Sequence, residues 1–575
     1  MPVHNREIAR LLEETADLLD IQGSNQFRVR AYRNAARTVE GLPRAAAELV
    51  AEGEDLSKRK GIGGSISEKI EEIVETGELT QLNELKERLP SGLLDLTAIP
   101  ELGPRRAQQL HEELGIDGVD ALERAIKEDR LRELEGFGEK LTETIARRLD
   151  EAKSRRGEKK ILISEAEEIA NELVAYLSEL EKIERLQVAG SYRRRKDRVG
   201  DLDILVIASD PGSVMDRFVE YDTVREVLSK GETRSSIILV GGIQVDLRLL
   251  SEESYGSALM YFTGSKEHNV ALRSRAQEHG FKVSEYGLFR GDRREAGASE
   301  KEVYERLGLK WIPPELRENR GEIEASEAGE LPFLIEESEI LGDLHSHTEW
   351  SDGTGSVETM AQAAMDRGYR YLGITDHSPG LTVANGLSEK ELAQQLECIA
   401  ELNASFDRFA LLASLEVNIE ADGRLDLSQE LLRRLDYTVC SIHSDMSLSR
   451  EKQTERLLRA MDNRYCSIIG HPTGRRFPER AGYELDMERV LEAAAERGVA
   501  MEINAQPERL DLPDHFALAA RERGVNIAIS TDAHDPVHLR FIRFGVGQAR
   551  RGWLTAMSVI NSRPLGELRK LLRHG

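Results

Sequence analysis

The period of the apolar positions divides the chain. Up to about residue 150 they recur at spacings of three and four, with breaks at glycine or proline, which predicts an almost all-helical region. Two short glycine turns separate helices there, Gly61-Ile62-Gly63 and Gly136-Phe137-Gly138. Pro100-Glu101-Leu102-Gly103-Pro104 has a similar setting but lacks the first glycine. From about 155 to 312 the pattern is mixed, helical stretches alternating with β-rich runs such as 204–207 and 243–249. Pro313-Pro314 then opens an acidic, aromatic-poor stretch, and 316–338 reads as a linker. Beyond it, short apolar runs recur at 340–344, 371–375, 410–415, 437–441, 467–470, 500–503 and 526–530, with helical patterns filling most of the gaps. That rhythm predicts a parallel barrel or a doubly wound sheet.

Residues two apart on a strand face the same side. Asp201 and Asp203 therefore project together, and the apolar residues after them anchor the strand. Paired carboxylates repel unless a cation lies between them, and Asp246, in the alternating run 243–249, is a third candidate. Three carboxylates can hold two Mg2+ or Mn2+ ions about 3.5–4 Å apart, which activates an attacking hydroxyl and stabilises a leaving oxygen in phosphoryl transfer. Upstream, Gly190-Ser191 allows close backbone approach to a triphosphate, and Arg194 can neutralise departing pyrophosphate. An isolated Asp-x-Asp is usually a solvated strand end; the upstream Gly-Ser and the third aspartate favour the metal reading.

Histidines are concentrated late in the chain. His4, His111, His268 and His279 precede residue 339; nine of the 13 follow it. His345, His347, His377, His443, His471 and His534 lie just beyond the apolar runs, joined by Asp352, Glu416 and Asp532. Catalytic groups of such barrels gather at the C-terminal strand ends, so these nine residues are expected to converge on one mouth. Imidazoles and carboxylates together suit Zn2+, Mn2+ or Fe2+.

Gly190-Ser191 with Asp201-Leu202-Asp203 resembles the nucleotidyltransferase signature. Tyr261-Phe262-Thr263-Gly264-Ser265-Lys266-Glu267-His268-Asn269, followed by Arg273, resembles the family X DNA polymerases. The resemblance implies that Tyr261, Phe262 and Gly264 line the sugar pocket, that Asn269 contacts the incoming base edge, and that Arg273 contacts the template strand. The two glycine turns then resemble paired helix-hairpin-helix motifs, with Gly61, Gly63, Gly136 and Gly138 at DNA phosphates and Lys58, Arg59 and Lys60 nearby. Phe27-Arg28-Val29-Arg30-Ala31-Tyr32-Arg33 resembles the family's lyase domain, and Lys69 aligns with its Schiff-base lysine. Ser65 and Arg28 stand where that family has lysines, so a solvated helix lysine is the favoured reading of Lys69, with lyase activity the open alternative.

His345-Ser346-His347, Ser351-Asp352-Gly353, Thr375-Asp376-His377, Glu416, His443, Gly470-His471-Pro472 and Thr531-Asp532-Ala533-His534 resemble the motifs of the PHP (polymerase and histidinol phosphatase) family. The resemblance implies a trinuclear Mn2+ or Zn2+ cluster on His345, His347, Asp352, His377, Glu416, His443, His471, Asp532 and His534, with Glu416 bridging two ions. It also implies 3'-5' exonuclease and abasic-site endonuclease activity.

The formal charge of −25, from 79 basic and 104 acidic residues, argues by itself against a nucleic-acid partner. Local patches escape that argument where they are dense enough, as at Arg193-Arg194-Arg195-Lys196. Cys398, Cys440 and Cys466 show no CxxC spacing and read as buried thiols of a reducing compartment. No apolar run approaches the roughly 20 residues of a membrane span, and the polar N-terminus does not resemble a signal peptide.

The expected fold is multidomain α/β: all-α helix-hairpin-helix domains at 1–85 (lyase-like) and 86–150, a polymerase beta-like nucleotidyltransferase palm at 151–255, a nucleotide-closing domain at 256–315, the linker at 316–338, and a (β/α)7 PHP barrel at 339–575. The expected function is gap-filling DNA repair synthesis on gapped or nicked DNA with deoxynucleoside triphosphates, by a cytoplasmic, nucleoid-associated monomer that avoids membranes. The alternatives are a small-molecule nucleotidyltransferase fused to a sugar-phosphate phosphatase, and a DNA-end bridging protein with a vestigial polymerase.

Overall fold

The computed structural model describes residues 5–22, 24–40, 46–51, 54–59, 61–88, 96, 102–128, 130–134, 136–138, 141–142, 144–146, 160–381 and 384–572. Lys60, Pro100 and Glu101 of the turns read above lie outside the described residues. Two compact units divide the chain, residues 1–159 and 160–575.

The first unit is helical. Asn5–Ile21, Gln26–Glu40, Gly64–Thr76, Thr80–Arg88 and Pro104–Leu114 are its longer helices that turn apolar faces inward. The glycine turns share one local design. Gly63 O accepts from Ile66 N and Ser67 N, and Gly138 O accepts from Leu141 N and Thr142 N. Gly103 repeats it with Arg106 N and Ala107 N, so the turn without the first glycine belongs to the same series. Gly61 and Gly136 have φ of 99° and 87°, backbone that β-carbons disfavour. No side chain caps the helices that start after Gly63 and Gly103, which leaves their first N–H groups for an anion.

The second unit opens with a five-stranded sheet in the order Ile183–Val188, Asp201–Ala208, Gln244–Leu249, Arg234–Leu239, Val224–Lys230. Only the Asp201–Ala208 and Gln244–Leu249 pair is parallel. Helices Ile163–Ser178 and Pro211–Val219 cover it, with Ala166, Ala170, Leu173 and Leu177 forming a buried stripe on the first. Next come helices Tyr255–Thr263 and Lys266–Glu278, then an antiparallel sheet of Lys282–Ser284, Gly287–Arg290 and Arg293–Ala296. Gly264 reverses the chain between the two helices at φ 68°, and the Ser265 hydroxyl caps the second through His268 N at 3.2 Å.

Residues 316–338 do not behave as the linker expected from their acidity. They carry the helix Glu322–Ala328 and bury Arg317 and Glu322. Ile323 and Leu334 pack into the core of the preceding region and Ile335 into that of the following one. Acidic composition signals solvation only when the acids lack partners. Here Glu318 meets Arg551 at 3.0 Å, Glu322 meets His268 Nδ1 at 2.6 Å and Glu327 meets Arg275 at 2.8 Å.

The last region strings parallel strands in chain order. Gly342–Asp343, Tyr371–Ile374 and Ala410–Ala413 pair in sequence; Glu416–Asn418, Val439–Ser441, Ile468–Ile469, Ala500–Asn504 and Ile527–Ser530 continue. Ala410–Ala413 and Glu416–Asn418 are neighbours in the chain, so each expected apolar run holds a strand. A parallel bridge from Ser346 to Ala533 and the bonds from Thr531 N and Oγ1 to Asp343 tie the first strand to the last. Helices between the strands shield a core of Leu, Ile, Val and Met.

This region shares apolar cores with its neighbours. Leu510 and Phe544 lie in the core of the five-stranded sheet, and Trp553 lies in that of the region after it. Phe544→Ala is therefore expected to destabilise the second unit by about 3 kcal/mol, seen as a lower urea midpoint at unchanged slope. An unchanged midpoint would mean that Phe544 contributes nothing to joining the two cores.

Candidate metal centres

In the five-stranded sheet, the parallel register sets Asp203 opposite Asp246 and Asp201 opposite Gln244. Paired strands lie about 4.8 Å apart, so the three carboxylates share one strand edge. Asp246 accepts from Arg234 Nη2 at 3.0 Å and Gln244 Nε2 at 3.1 Å. Burial, with Asp201 and Asp246 beside it, pushes the Asp203 carboxyl up to about 7. Gly190 follows the neighbouring strand at φ 67°, and a Cβ there would lie 3.1 Å from Asp203 Oδ2. A side chain would thus crowd the carboxylate, and glycine keeps the turn and the aspartate in contact range.

The basic run Arg193-Arg194-Arg195-Lys196 is not the open DNA patch that its density suggested. Arg193 forks onto Glu300 at 2.7 and 2.9 Å, and Arg194 Nε meets Glu318 at 3.0 Å. Arg195 meets Glu167 at 3.1 Å, and Lys196 lies 3.6 Å from Glu318. Each cation has an acidic partner because the fold brings its excess acid to this edge, and Arg193 and Arg194 are mostly buried.

Tyr261 and Phe262 stack edge to face at 5.2 Å, and the Arg248 guanidinium lies 4.3 Å over Phe262, joining this helix to the aspartate-bearing sheet. Asn269 Nδ2 donates to the Tyr261 carbonyl at 2.7 Å, and Arg273 Nε donates to the Asn269 carbonyl at 3.3 Å. Tyr261, Phe262, Asn269 and Arg273 are thus linked across the two helices, with Gly264 in the turn between them. In the first unit, Lys69 is half-buried on Gly64–Thr76, where Glu72 senses its charge.

The nine late residues converge. Glu416 lies at their centre: Oε1 is 2.9 Å from His471 Nε2 and 3.1 Å from His443 Nε2, and Oε2 is 3.0 Å from His377 Nδ1. His345 Nε2 and His347 Nε2 lie 3.5 and 3.6 Å from Oε2. Asp532 Oδ1 stands 3.1 Å from His347 Nε2, and Asp352 Oδ2 stands 3.3 Å from His534 Nε2. Three sets fit single cations: His347, Asp352, His377 and His534; His345, His347 and Asp532; His377, Glu416 and His443. His347 and His377 belong to two sets each, which places the three within one cluster.

Carboxylates crowd the rings with negative charge that divalent ions would balance. Burial opposes charge on His345, yet Glu502, Asp532 and Glu416 hold it well above its ordinary value. His377 is likewise driven up to about 10 against burial by Glu416 and Asp352. His347 is pushed down to about 3 by burial and by His534 and His377, and so presents a neutral imidazole. The buried His345 Nε2, His347 Nδ1, His347 Nε2 and His377 Nδ1 make no hydrogen bond of acceptable geometry. Buried nitrogens are normally satisfied, and divalent ions would satisfy these, so the residues fit a metal cluster.

A supporting layer escaped the sequence reading. Glu502 accepts from His471 N at 2.7 Å and lies 2.7 Å from His345 Nδ1, which orients that ring. Asp376 accepts from Thr348, Ser351 and Gln395, and Asn504 Nδ2 holds Asp532 at 3.0 Å. The available signal was a lone acid inside an apolar strand run, as in Ala500-Met501-Glu502-Ile503 and Ile340-Leu341-Gly342-Asp343-Leu344. Such an acid needs a buried partner.

Family profiles match along most of the chain. They are a helix-hairpin-helix domain at residues 3–79, a tandem of that type at 93–151, a DNA polymerase beta palm at 160–238, the corresponding thumb at 258–318 and a PHP domain at 343–506. Over 99% of this chain and 100% of the relative, the sequence is 38% identical to the DNA polymerase/3'-5' exonuclease PolX of Bacillus subtilis. The chain belongs to the PHP-bearing family X DNA polymerases. Other relatives of this family X polymerase align with parts of it. DNA polymerase lambda of Arabidopsis thaliana is 26% identical over 55% of the chain and 62% of the relative. A probable phosphatase of Caldanaerobacter subterraneus is 32% identical over 34% of the chain and 76% of the relative.

Two predictions follow from these geometries. Below pH 7 a divalent ion at the palm must displace the Asp203 proton; above it, none. The Mg2+ concentration for half-maximal nucleotide incorporation should fall about tenfold per pH unit up to about 7 and then level. A flat profile would remove Asp203 from the ligand set. At the histidine cluster, Glu502→Gln should weaken Mn2+ binding about 10- to 100-fold in a metal titration followed by paramagnetic resonance. Unchanged affinity would show that Glu502 does not orient His345.

Proposed function

We propose that this family X polymerase fills short gaps during DNA repair and trims 3' ends at its PHP domain. The observation that carries the reading is the Asp203–Asp246 register beside Gly190, within a chain that matches a polymerase/exonuclease over its full length. DNA and nucleotides are the substrate classes, and both sites depend on divalent metal ions.

Asp201, Asp203 and Asp246 would hold Mg2+ or Mn2+ at the palm; Glu416 and the eight residues around it would hold Mn2+ or Zn2+. Bound there, the ions supply Lewis acidity that activates an attacking oxygen and stabilises a leaving one. The chain's own groups do the positioning. Gly190-Ser191 receives the triphosphate and Arg194 its departing pyrophosphate. Tyr261, Phe262 and Gly264 bound the sugar, Asn269 reaches the base edge, and Arg273 steadies the template. Gly61, Gly63, Gly136 and Gly138 open the hairpin turns to DNA phosphates. Lys69 serves as a helix cation near Glu72. Residues 256–315 close over the nucleotide, and the enzyme works as a cytoplasmic monomer on gapped or nicked DNA. The rival phosphatase reading is supported by a probable phosphatase that matches 34% of the chain.

A primer–template with a one-nucleotide gap and Mn2+ separates the two sites. Asp203→Asn should abolish extension by at least about 1,000-fold and leave 3' shortening intact, and His345→Ala should do the reverse. Loss of both reactions in either variant at retained fold, or survival of extension in Asp203→Asn, would overturn the two-site assignment.

A further inference from the structure

The ion pairs that absorb the basic run reach past the palm. Arg194 directs Nε to Glu318 Oε1 at 3.0 Å and Nη1 to the Thr263 carbonyl. The same Glu318 oxygen accepts from Arg551 Nη1 at 3.0 Å, and that nitrogen also donates to the Arg194 backbone carbonyl at 2.8 Å. Asp514 takes the other edge of Arg551, and Arg320 lies 3.3 Å from Asp514. Arg551 is 1% exposed and ends the helix Ile542–Arg551, in the region that carries the histidine cluster. Glu318 sits on the strap of residues 316–338 that leads into that region. The helix comes close enough that a Cβ on Gly547 would lie 3.3 Å from the Arg195 side chain.

This geometry fixes a guanidinium plane. With Nε and Nη1 both engaged, Arg194 cannot turn about its last torsion, and its Nη2 has no acceptor among the described residues. Burial disfavours the charge on Arg194, and Glu318 counters that burial. A long side chain released from such partners samples several rotamers and loses its aim. Neither Glu318 nor Arg551 touches the metal-site aspartates or the histidine cluster.

We infer that Arg551 and Glu318 are positioning residues for nucleotidyl transfer: together they fix Arg194 and the turn after Gly190-Ser191, so a helix of the phosphoesterase region completes the polymerase site. The inference rests on the proposed reading of Arg194 as the triphosphate's partner. In this arrangement the exonuclease region supports synthesis through structure alone, independent of its own metals.

The test uses the full chain and measures kcat and KM for the incoming nucleotide in gap filling. The 3'-5' exonuclease rate without nucleotide is measured on the same preparations. Arg194→Ala sets the scale. Arg551→Met and Glu318→Gln should lower kcat/KM by about tenfold, divided between KM and kcat as in Arg194→Ala, with the exonuclease rate unchanged within about twofold. Arg551→Lys should recover part of the loss. If Arg194→Ala has no effect, the reading of Arg194 falls and the inference with it. If Arg194→Ala is impaired but Arg551→Met and Glu318→Gln match wild type, the positioning role alone is overturned. A rise in kcat/KM for Glu318→Gln would make Glu318 a competitor of the triphosphate and would also overturn it. Should Arg551→Met lose both activities by unfolding, Glu318→Gln and Arg551→Lys decide.

Discussion

A carboxylate buried among imidazoles needs cations. Glu416 lies within about 3–3.6 Å of five histidine nitrogens, from strand ends spread between residues 345 and 471. Leaving that charge in a low-dielectric interior without cationic partners would cost several kcal/mol. The arrangement of the last region follows from this requirement. The strands end together, Asp352 and Asp532 flank the cluster, and Glu502 and Asn504 hold the outer edges of His345 and Asp532. The palm meets the same constraint with carboxylates alone: burial, with Asp201 and Asp246 beside it, pushes the Asp203 carboxyl up to about 7.

Excess acid serves a second purpose. A charge of −25 suits a DNA-binding chain poorly if the charge is spread evenly. Some of the acid is used internally. Glu167, Glu300 and Glu318 pair with the basic run after Gly190, and Glu322 and Glu327 fasten the strap. Glu315 also takes Arg550 and Glu318 takes Arg551, joining regions whose apolar cores interlock at Trp553. Ion pairs at such seams fix orientation more than they add stability, because desolvation consumes most of the attraction.

The placement of candidate site residues was legible where few of them lie at short range in sequence. Asp201 and Asp203 share a strand face by period alone, and Gly190-Ser191 lies close upstream. The late histidines were legible by their placement after apolar runs. The strap was not, because acid-rich composition looks the same whether acids face water or meet arginines from other elements. The basic run was misread for the same reason: Arg193 and Arg194 found Glu300 and Glu318, more than 100 positions away. Glu502 was visible only as an acid out of place in an apolar strand.

By itself the sequence determined which side chains could ligate metals, where helices and strands alternate, and which turns need glycine. Those properties depend on local period, backbone sterics and the donor atoms of single residues. Only the tertiary structure decided that Asp246 stands opposite Asp203, that Glu416 lies between two groups of imidazoles, and that Arg551 reaches Arg194. Register, burial and ion pairing are relations between distant segments, and their energies exist only once packing has excluded water from between them.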